Sequence, residues 1–307
     1  MTTAADRALL ATLELRATAF GAIRRFFDAR GFIEVDTPAV VPCPGLDVHL
    51  SAFEVRDPKR GPVGWLATSP EYQMKRLLSA GAKRIFQLGR SYRAEEHGRH
   101  HEREFAMLEW YRAEASSDDV IADTEELVAF LAELLTNDGE ALDFYAPPWV
   151  RLTVEEALRQ HAGCELERLA EDEDRFFLTW AEQVQPRLGL EQPVVVTDWP
   201  PSMASLARIK PNGMADRFEV FIRGIEICNG FGELTDPREQ RARFERDQAQ
   251  RRATGAPVYP IDEKFLEALE TGMPESGGNA LGVDRLLMLL VGAESVQSVM
   301  PFPQERL

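Results

Sequence analysis

Apolar residues recur at helical spacing near the amino terminus, where residues 6–30 predict an amphipathic helix that ends at Gly31. Its apolar face consists of Leu9, Leu13, Phe20, Ile23 and Phe27. The segment GFIEVDTP then predicts a short strand that ends at Pro38. The first unit that the pattern indicates is therefore a long helix followed by a strand.

A second unit follows residues 39–64, whose four prolines predict loop and short strands. Ser69 precedes Pro70 and Glu71, which is typical of a helix start with proline at the first helical position. An acid in a first helical turn is favourable by itself, so Glu71 needs no further role. The segment IFQLGRSY predicts a strand, and the apolar run from Phe105 to Tyr111 predicts another after a charged loop.

Further helices and strands are predicted in the middle of the chain. Asp118 or Asp119 is expected to cap a helix, and residues 136–150 are expected to form a loop. Thr153 and Glu156 make a capping box, which predicts the next helix. The segment PVVVTDWP predicts a short buried strand.

Strict alternation marks the segment DRFEVFIRG as a strand. One face carries Phe218, Val220 and Ile222, and the other carries Glu219, Phe221 and Arg223. A very polar helix is predicted next, with Asp236 as its cap and Gly255 as its end, and a second helix follows at about residues 262–272. The glycine-rich segment SGGNALG then leads into an apolar helix that begins at Val283.

Composition narrows the class of protein. The chain has 307 residues, of which 44% are hydrophobic and 28% charged, as in globular proteins. The net charge of −16 argues against a general polyanion-binding surface. Three single cysteines without a C-x-x-C pair fit a reducing cytoplasm and argue against zinc. No signal peptide and no long apolar run is present, so we expect a cytoplasmic protein that binds no membrane.

Positive charge is concentrated in one short span, which indicates a local anionic ligand. The span contains Lys75, Arg76, Lys83, Arg84, Arg90, Arg93, Arg99 and Arg103. From Arg90 onward it is a cationic loop that enters an apolar strand, and guanidinium groups match phosphate oxygens. Phe105 offers a ring face to a base, and Glu109 is an acid in a buried strand, where it needs a partner. A basic surface hairpin before a core strand is the alternative.

Carboxylates cluster in a second stretch, where Glu219, Glu226 and Glu233 lie among three glycines and several apolar residues. Such acids bind a metal ion or a cationic ligand, or lie together by chance on a solvated face. Burial argues against chance, because buried acids need counter-charge. Arg285 lies inside an apolar helix, so it contacts an anionic ligand or forms a structural pair with an aspartate.

Three separated stretches resemble the motifs of class II aminoacyl-tRNA synthetases, and they occur in that family's order. The first helix and strand resemble motif 1, residues 90–111 resemble motif 2, and residues 278–290 resemble motif 3. The stretch from Gly224 to Asp236 is most similar to the lysine-specific subclass. The resemblance implies an α+β catalytic core, with an antiparallel sheet flanked by helices, and a homodimer formed through motif 1.

The same resemblance implies binding sites for ATP and Mg²⁺. Arg93 and Arg285 would be the catalytic residues on the phosphates, Gly282 would lie beneath the adenine, and Glu219 and Glu226 would hold Mg²⁺. The further ATP contacts that it implies are Ala94, Glu95, His101, Glu102, Phe105 and Ile227.

An amino-acid site is implied as well. Its contacts are Ser69, Pro70, Glu71, Glu109, Tyr111, Asn229, Glu233 and Ala280. By resemblance, Asn229 contacts the carboxylate end of the ligand and Glu233 contacts a side-chain ammonium. Two acids, Glu109 and Glu233, with the phenol of Tyr111 beside them suit a terminal ammonium, hence lysine or a close analogue.

The chain is most similar to bacterial ligases that attach (R)-β-lysine to a lysine ε-amine of elongation factor P, and Ala280 in the pattern G-x-x-A-L-G matches them. Lysyl-tRNA synthetases carry an anticodon-binding barrel ahead of motif 1, which here ends at Pro38. We therefore expect residues 1–307 to form one catalytic domain that binds no tRNA stably. Its implied partners are elongation factor P and lysine or β-lysine.

The chain departs from the family pattern at four positions: Ala94 replaces asparagine, Glu102 and Arg103 replace Asn-Pro, and Gly232 replaces histidine. Two alternatives to the ligase remain open. One is a truncated lysyl-tRNA synthetase or a tRNA-modifying paralogue, and the other is a non-catalytic paralogue that only binds lysine or ATP. Retention of the two arginines on the phosphates and of the acids argues against the second.

Overall fold

A large mixed sheet forms the centre of this computed structural model, which describes residues 3–136, 139–169 and 172–307. The strands of the protein, in both of its sheets, are β1 Ile33–Glu34, β2 Val40–Val41, β3 Glu54–Asp57, β4 Gly61–Leu66, β5 Arg84–Tyr92, β6 Glu104–Ala113, β7 Val150–Thr153, β8 Val194–Trp199, β9 Ala215–Ile222, β10 Ile225–Gly232 and β11 Ser276–Gly282. Its α-helices are α1 Ala4–Asp28, α2 Glu71–Ser79, α3 Ser117–Leu135, α4 Gly139–Tyr145, α5 Val154–Ala162, α6 Glu173–Thr179, α7 Pro237–Thr254, α8 Glu263–Gly272 and α9 Val283–Leu290.

Eight strands pair in the order β1-β5-β6-β11-β10-β9-β8-β7. The six inner strands pair with one another in antiparallel orientation. At the two edges, β1 pairs in parallel with β5, and β7 pairs in parallel with β8. Strands β2, β4 and β3 form a separate small antiparallel sheet. The predicted α+β fold is confirmed, with the qualification that the edge strands are parallel.

Helices cover both faces of the large sheet, as the alternation of its strands requires. One core lies between the sheet and α1, α3 and α9, and it includes the predicted face of Phe218, Val220 and Ile222. The second core lies on the opposite face with α2, α5, α6, α7 and α8, and it includes Phe221. Odd-numbered residues of β6 and β9, among them Glu109 and Glu219, therefore point toward this opposite face, which we call the second face of the sheet.

Helix starts follow the expected chemistry with two corrections. Thr153 and Glu156 form the predicted capping box of α5, and Asp236 caps α7. The cap of α3 is Ser116, because its hydroxyl accepts from the amide of Asp119, so the choice of Asp118 or Asp119 was wrong. Helix α2 begins at Glu71 rather than Pro70.

Two segments differ from their sequence-based expectations. The loop expected at 136–150 contains α4, while residues 137 and 138 lie outside the described residues. The polar helix α7 is less solvated than predicted, because Arg243 and Arg251 are buried and donate to backbone carbonyl groups. Within the described ranges, no helix has the length and apolarity that crossing a bilayer requires.

Candidate active site

One cavity of about 300 Å³ lies over the second face of the large sheet. Strands β6, β9, β10 and β11 form its floor, and α2, α9 and the loop before β6 form its walls. Its lining includes the residues expected at both the nucleotide and the amino-acid ends, so the structure brings the two sets together.

The floor is a row of residues that are direct neighbours across four strands. Glu109 on β6 pairs with Ala280 on β11, Ala280 pairs with Asn229 on β10, and Asn229 pairs with Glu219 on β9. Cross-strand neighbours on one face have their Cβ atoms about 4.5–5.5 Å apart. An acid expected to bind the amino acid and one expected to bind metal are therefore held in fixed register.

Glu109 is completely buried at one end of this row, and both of its oxygens accept hydrogen bonds. The Ser69 hydroxyl donates to Oε1 at 2.7 Å and the Tyr111 hydroxyl donates to Oε2 at 2.9 Å. Burial raises the pKa of Glu109 to about 7, and the nearby charge of Glu71 adds to the effect. The partner that a buried acid requires is thus a pair of hydroxyl groups.

Next to this acid lies a buried ion-pair cluster that the sequence did not predict. The ammonium of Lys75 lies 2.6 Å from Glu71 Oε1 and 2.5 Å from Glu233 Oε2. Burial raises the pKa of Glu233 to about 8; Lys75 opposes this shift, whereas Glu71 and Glu109 add to it. When all of its carboxyl groups are ionised, this acid end of the cavity carries more negative charge than its own cation balances.

Arginine dominates the opposite end of the cavity. The Arg93 guanidinium donates to Glu96 Oε1 at 2.8 Å and lies over the Phe105 ring, 5.2 Å from its centroid. Arg93 Nε is buried without a hydrogen-bond partner among the described residues. Burial lowers the pKa of His101, and the charge of Arg285 lowers it further. An anionic ligand would relieve both the orphan donor and the crowded positive charge.

Arg285 projects from the first turn of α9 and joins two elements of the site. Its Nε donates to the His100 carbonyl at 3.1 Å and its Nη1 donates to the Glu226 carbonyl at 3.0 Å. Among the described residues Arg285 forms no structural pair with an aspartate, because neighbouring Asp284 pairs with Arg16 of α1 at 2.5 Å instead. Arg285 therefore presents its remaining donors toward the cavity it lines.

Glu219 and Glu226 both line the cavity between these ends. Burial raises the pKa of Glu219 to about 8, and the charge of Glu226 raises it further. Arg217, two residues before Glu219, contacts it at 2.5 Å. Two carboxylates fit Mg²⁺, which proteins hold by one or two carboxylates together with substrate phosphates. No group of three or more metal-binding side chains occurs in the part of the chain that the structure describes.

Comparison with known proteins agrees with this geometry. The profile described as "tRNA synthetases class II (D, K and N)" matches residues 2–306. A Proteus mirabilis protein named elongation factor P–(R)-β-lysine ligase is 42% identical, and the alignment covers 97% of each chain. Proteins of the same name from Edwardsiella ictaluri and Photorhabdus laumondii are each 44% identical, over 97% and 96% of this chain and 96% and 95% of theirs. The chain belongs to the class II tRNA synthetase family. Within that family it belongs with the elongation factor P–(R)-β-lysine ligases.

Motifs 2 and 3 line the cavity, and motif 1 supports them from the other face of the sheet. Motif 2 supplies β5, β6 and the loop between them, and motif 3 supplies β11 and α9. Motif 1 supplies α1, whose Arg16 holds Asp284 of motif 3 while Asp284 accepts from the Ala106 amide of motif 2 at 2.7 Å.

Most of the residues predicted for the synthetase site line the cavity. They are Ser69, Glu71, Arg93, His101, Glu102, Phe105, Glu109, Glu219, Glu226, Ile227, Asn229, Ala280, Gly282 and Arg285. The remaining five lie outside the lining: Pro70, Ala94, Glu95, Tyr111 and Glu233. Tyr111 and Glu233 lie directly behind it, where they contact Glu109 and Lys75.

The sequence pattern did not predict how the basic residues are arranged around the cavity. Of the cations clustered in the sequence, Arg93 lines the cavity, whereas Lys75 pairs with acids and the exposed Arg84, Arg90 and Arg103 lie elsewhere. Clustering along the chain therefore did not correspond to clustering in space. The available signal for Lys75 was its position four residues after Glu71 on a helix face that also carries Met74 and Leu78.

Local contacts account for two departures from the family pattern. A Cβ at Gly232 would lie 1.9 Å from Asp216 Oδ2, so a side chain there requires Asp216 to move. Glu102 is buried and accepts from Gln297 Nε2 at 2.9 Å, and the same amide donates to the Gly98 carbonyl at 3.0 Å. Gln297 thus fixes the motif 2 loop, another contribution that the sequence analysis missed.

Proposed function

We propose that this protein is an ATP-dependent ligase that activates (R)-β-lysine, or lysine, as its adenylate and transfers it to a lysine ε-amino group of elongation factor P. The observation that carries the proposal is the opposite charge of the two ends of one cavity. Arg93 and Arg285 suit a polyphosphate, and the cluster around Glu109 and Glu233 suits an ammonium-bearing amino acid. The names of the relatives supply the acceptor.

The chemistry needs no side-chain nucleophile. The ligand carboxylate oxygen attacks the α-phosphorus of ATP. The bond between the α-phosphorus and the oxygen that bridges the α- and β-phosphates breaks, and pyrophosphate leaves with the electron pair. The acceptor ε-amine then attacks the acyl carbon, AMP leaves, and the amine proton passes to solvent as the amide forms. Catalysis is positioning and charge neutralisation.

The role of each predicted site residue is part of this proposal. Arg93 and Arg285 contact phosphate, Phe105 stacks on the adenine, and Asn229 donates to the amino-acid carboxylate. The side-chain oxygen of Asn229 is buried without a hydrogen-bond partner in the described residues, so it is available to accept from a ligand ammonium while the amide nitrogen donates to the carboxylate. Glu219 and Glu226 would hold Mg²⁺, which would neutralise phosphate charge.

Further parts of the proposal concern assembly and location. We propose a single catalytic domain, a homodimer, no stable tRNA binding and a cytoplasmic location. The three cysteines are free thiols, which fits a reducing compartment.

Pyrophosphate exchange by the wild type tests the proposal. We expect exchange that requires Mg²⁺ and lysine or (R)-β-lysine, and that fails with norleucine, which lacks the second ammonium. Intact-mass measurement should then show one added β-lysyl or lysyl group on elongation factor P. Stable charging of tRNA instead would indicate a truncated synthetase, and binding without exchange would indicate a non-catalytic paralogue.

A further inference from the structure

Lys75 lies behind the acid end of the cavity, and the motifs of the family assign it no role. Its side chain is completely buried between Glu71 and Glu233, at 2.6 and 2.5 Å. Burial alone would lower the pKa of Lys75, but the charges of Glu233 and Glu71 outweigh burial and the pKa is raised. Lys75 is therefore a permanent cation inside the site.

The number of charged groups around Lys75 indicates its role. Glu71, Glu109 and Glu233 bring three carboxylates together, and in the described part of the chain Lys75 is the cation that contacts two of them. When all four groups are ionised, two negative charges remain. Lysine and β-lysine each carry two ammonium groups, while their carboxylate belongs to the phosphate end.

We propose that Lys75 is an internal counter-ion that positions Glu71 and Glu233 and sets the charge of this end to match a ligand with two ammonium groups. The inference rests on the proposed function and adds to it the residue through which the site selects diamino acids. Lys75 does not line the cavity, so it acts as a positioning residue through the two carboxylates it contacts.

The elements around Lys75 differ in the charged groups that they place beside it. Glu71 belongs to its own helix, Glu109 and Tyr111 belong to β6, and Glu233 follows β10. Strand β11 contributes Gly278, which has no charge and leaves space for Glu233. Without the ammonium, these acids would repel one another more strongly and hold protons to higher pH. A dicationic ligand would then have to displace those protons.

The first test is Lys75→Met, with Lys83→Met as the matched control at an exposed lysine. At pH 7 we expect the KM for lysine and β-lysine to rise at least ~10-fold, as for loss of one charge-assisted contact, with the KM for ATP changed less than about twofold. The fall of the amino-acid KM with rising pH should move to higher pH in Lys75→Met and stay in place in Lys83→Met. A purely structural role would not move this pH profile.

Breaking a buried pair can prevent folding, so a second variant carries the same test. Lys75→Met/Glu233→Gln removes one charge of each sign and keeps two carboxylates, Glu71 and Glu109. We expect it to fold and to return the pH profile of the amino-acid KM to that of the wild type. A double variant that keeps the alkaline shift would overturn the charge count, as would a folded Lys75→Met with unchanged amino-acid KM and pH profile.

Calorimetric binding of lysine and norleucine to the wild type distinguishes failure of the proposed function from failure of the proposed role of Lys75. A wild type that binds neither overturns both the proposed function and the role of Lys75. A wild type that binds lysine, beside a Lys75→Met variant that binds it equally well at each pH, overturns the role of Lys75 alone.

Discussion

Single residues of this site act by joining elements that are distant in sequence. Arg285 is the clearest case, because its guanidinium donates to the His100 carbonyl before β6 and to the Glu226 carbonyl of β10 while it lines the arginine-rich end of the cavity. A lysine offers one charged centre on a flexible stem and cannot reproduce that planar set of donors.

Replacing Arg285 by lysine should therefore impair the chemical step. We expect pyrophosphate exchange to fall on the order of 10²-fold, as when one preorganised donor to a transition state is lost, while lysine binding measured by calorimetry stays near the wild-type value. Arg103→Lys is the matched control, since Arg103 is an exposed arginine of the loop before β6 that carries His100. Equal loss of lysine binding and exchange would show that Arg285 is a scaffold residue.

Residue-level prediction from the sequence succeeded where motif and alternation agreed, and it failed for ion pairs. The acids Glu109 and Glu219 were correctly expected in buried strands, and strand periodicity fixed the face of Glu219, whereas Glu226 lines the cavity half-buried. The partners of Lys75 and Asp284 were missed because pairing across the fold depends on tertiary contacts that periodicity does not encode.

At the scale of elements, β11 decides how closely ligands approach the sheet. Alternate residues Gly278, Ala280 and Gly282 of this strand carry little or no side chain on the second face of the sheet. A Cβ at Gly278 would lie 2.3 Å from both Glu233 Oε1 and Tyr111 Cε1, whereas a Cβ at Gly282 would meet nothing closer than 3.7 Å. The neighbours of Gly278 therefore exclude a side chain, whereas those of Gly282 leave space for a methyl group.

Alanine at each of these glycines should separate the two ends of the cavity. We expect Gly278→Ala to displace Glu233 and Tyr111, to cost roughly 1–3 kcal/mol of stability as overpacking does, and to raise the KM for lysine. Gly282→Ala should keep the thermal midpoint of the wild type and raise the KM for ATP, if adenine lies over it. Unchanged ATP kinetics in Gly282→Ala would remove that glycine from the nucleotide site.

Element prediction also shows what local pattern can and cannot supply. The capping box of α5 was predicted correctly because both partners lie within one turn. Helix α4 was missed because its seven residues follow a short polar stretch and pack through Tyr145 and neighbours against distant parts of the core. The parallel pairing of β1 with β5 was missed for the same reason, since nothing local specifies a partner 50 residues away.

On the scale of the whole molecule, the two ends of the cavity should exchange protons with solvent in opposite directions. The raised pKa values of Glu109, about 7, and Glu233, about 8, mean that the ligand-free protein holds protons there near neutral pH. A dicationic amino acid should expel them, so its affinity should increase as pH rises through 7–8. Calorimetry of lysine binding in buffers of different ionisation enthalpy should show net proton release.

The same shifts fix the pH dependence of stability. A carboxyl whose pKa is higher in the folded than in the unfolded state stabilises the fold below its ordinary pKa of 4.5, and this contribution is lost as pH rises through about 7–8. ATP should act oppositely on protons, because phosphate charge would raise the lowered pKa of His101. Proton release on ATP binding would contradict the assignment of His101 to the phosphate end.

Assembly is a further property of the whole molecule. Large apolar side chains are exposed on the elements matched to motif 1, namely Leu10, Leu13 and Ile33. We expect light scattering to show a dimer that Ile33→Asp converts to a monomer without lowering the thermal midpoint by more than a few degrees. Val150→Asp, at the opposite edge of the same sheet, is the matched control and should leave the mass unchanged.

The attachment of the motif 2 loop to Gln297 has a consequence for the order in which the enzyme is made. Gln297 lies ten residues before Leu307, and the amide of Val296 also donates to the Arg99 carbonyl at 3.0 Å. Domains begin to fold as the chain emerges from the ribosome, amino-terminal part first. Strand β11 lies between β6 and β10 in the sheet, so neither end of the cavity is complete in a nascent chain until β11, Arg285 and Gln297 have emerged. Activation of an amino acid by the nascent chain therefore requires the whole segment from β11 to Gln297.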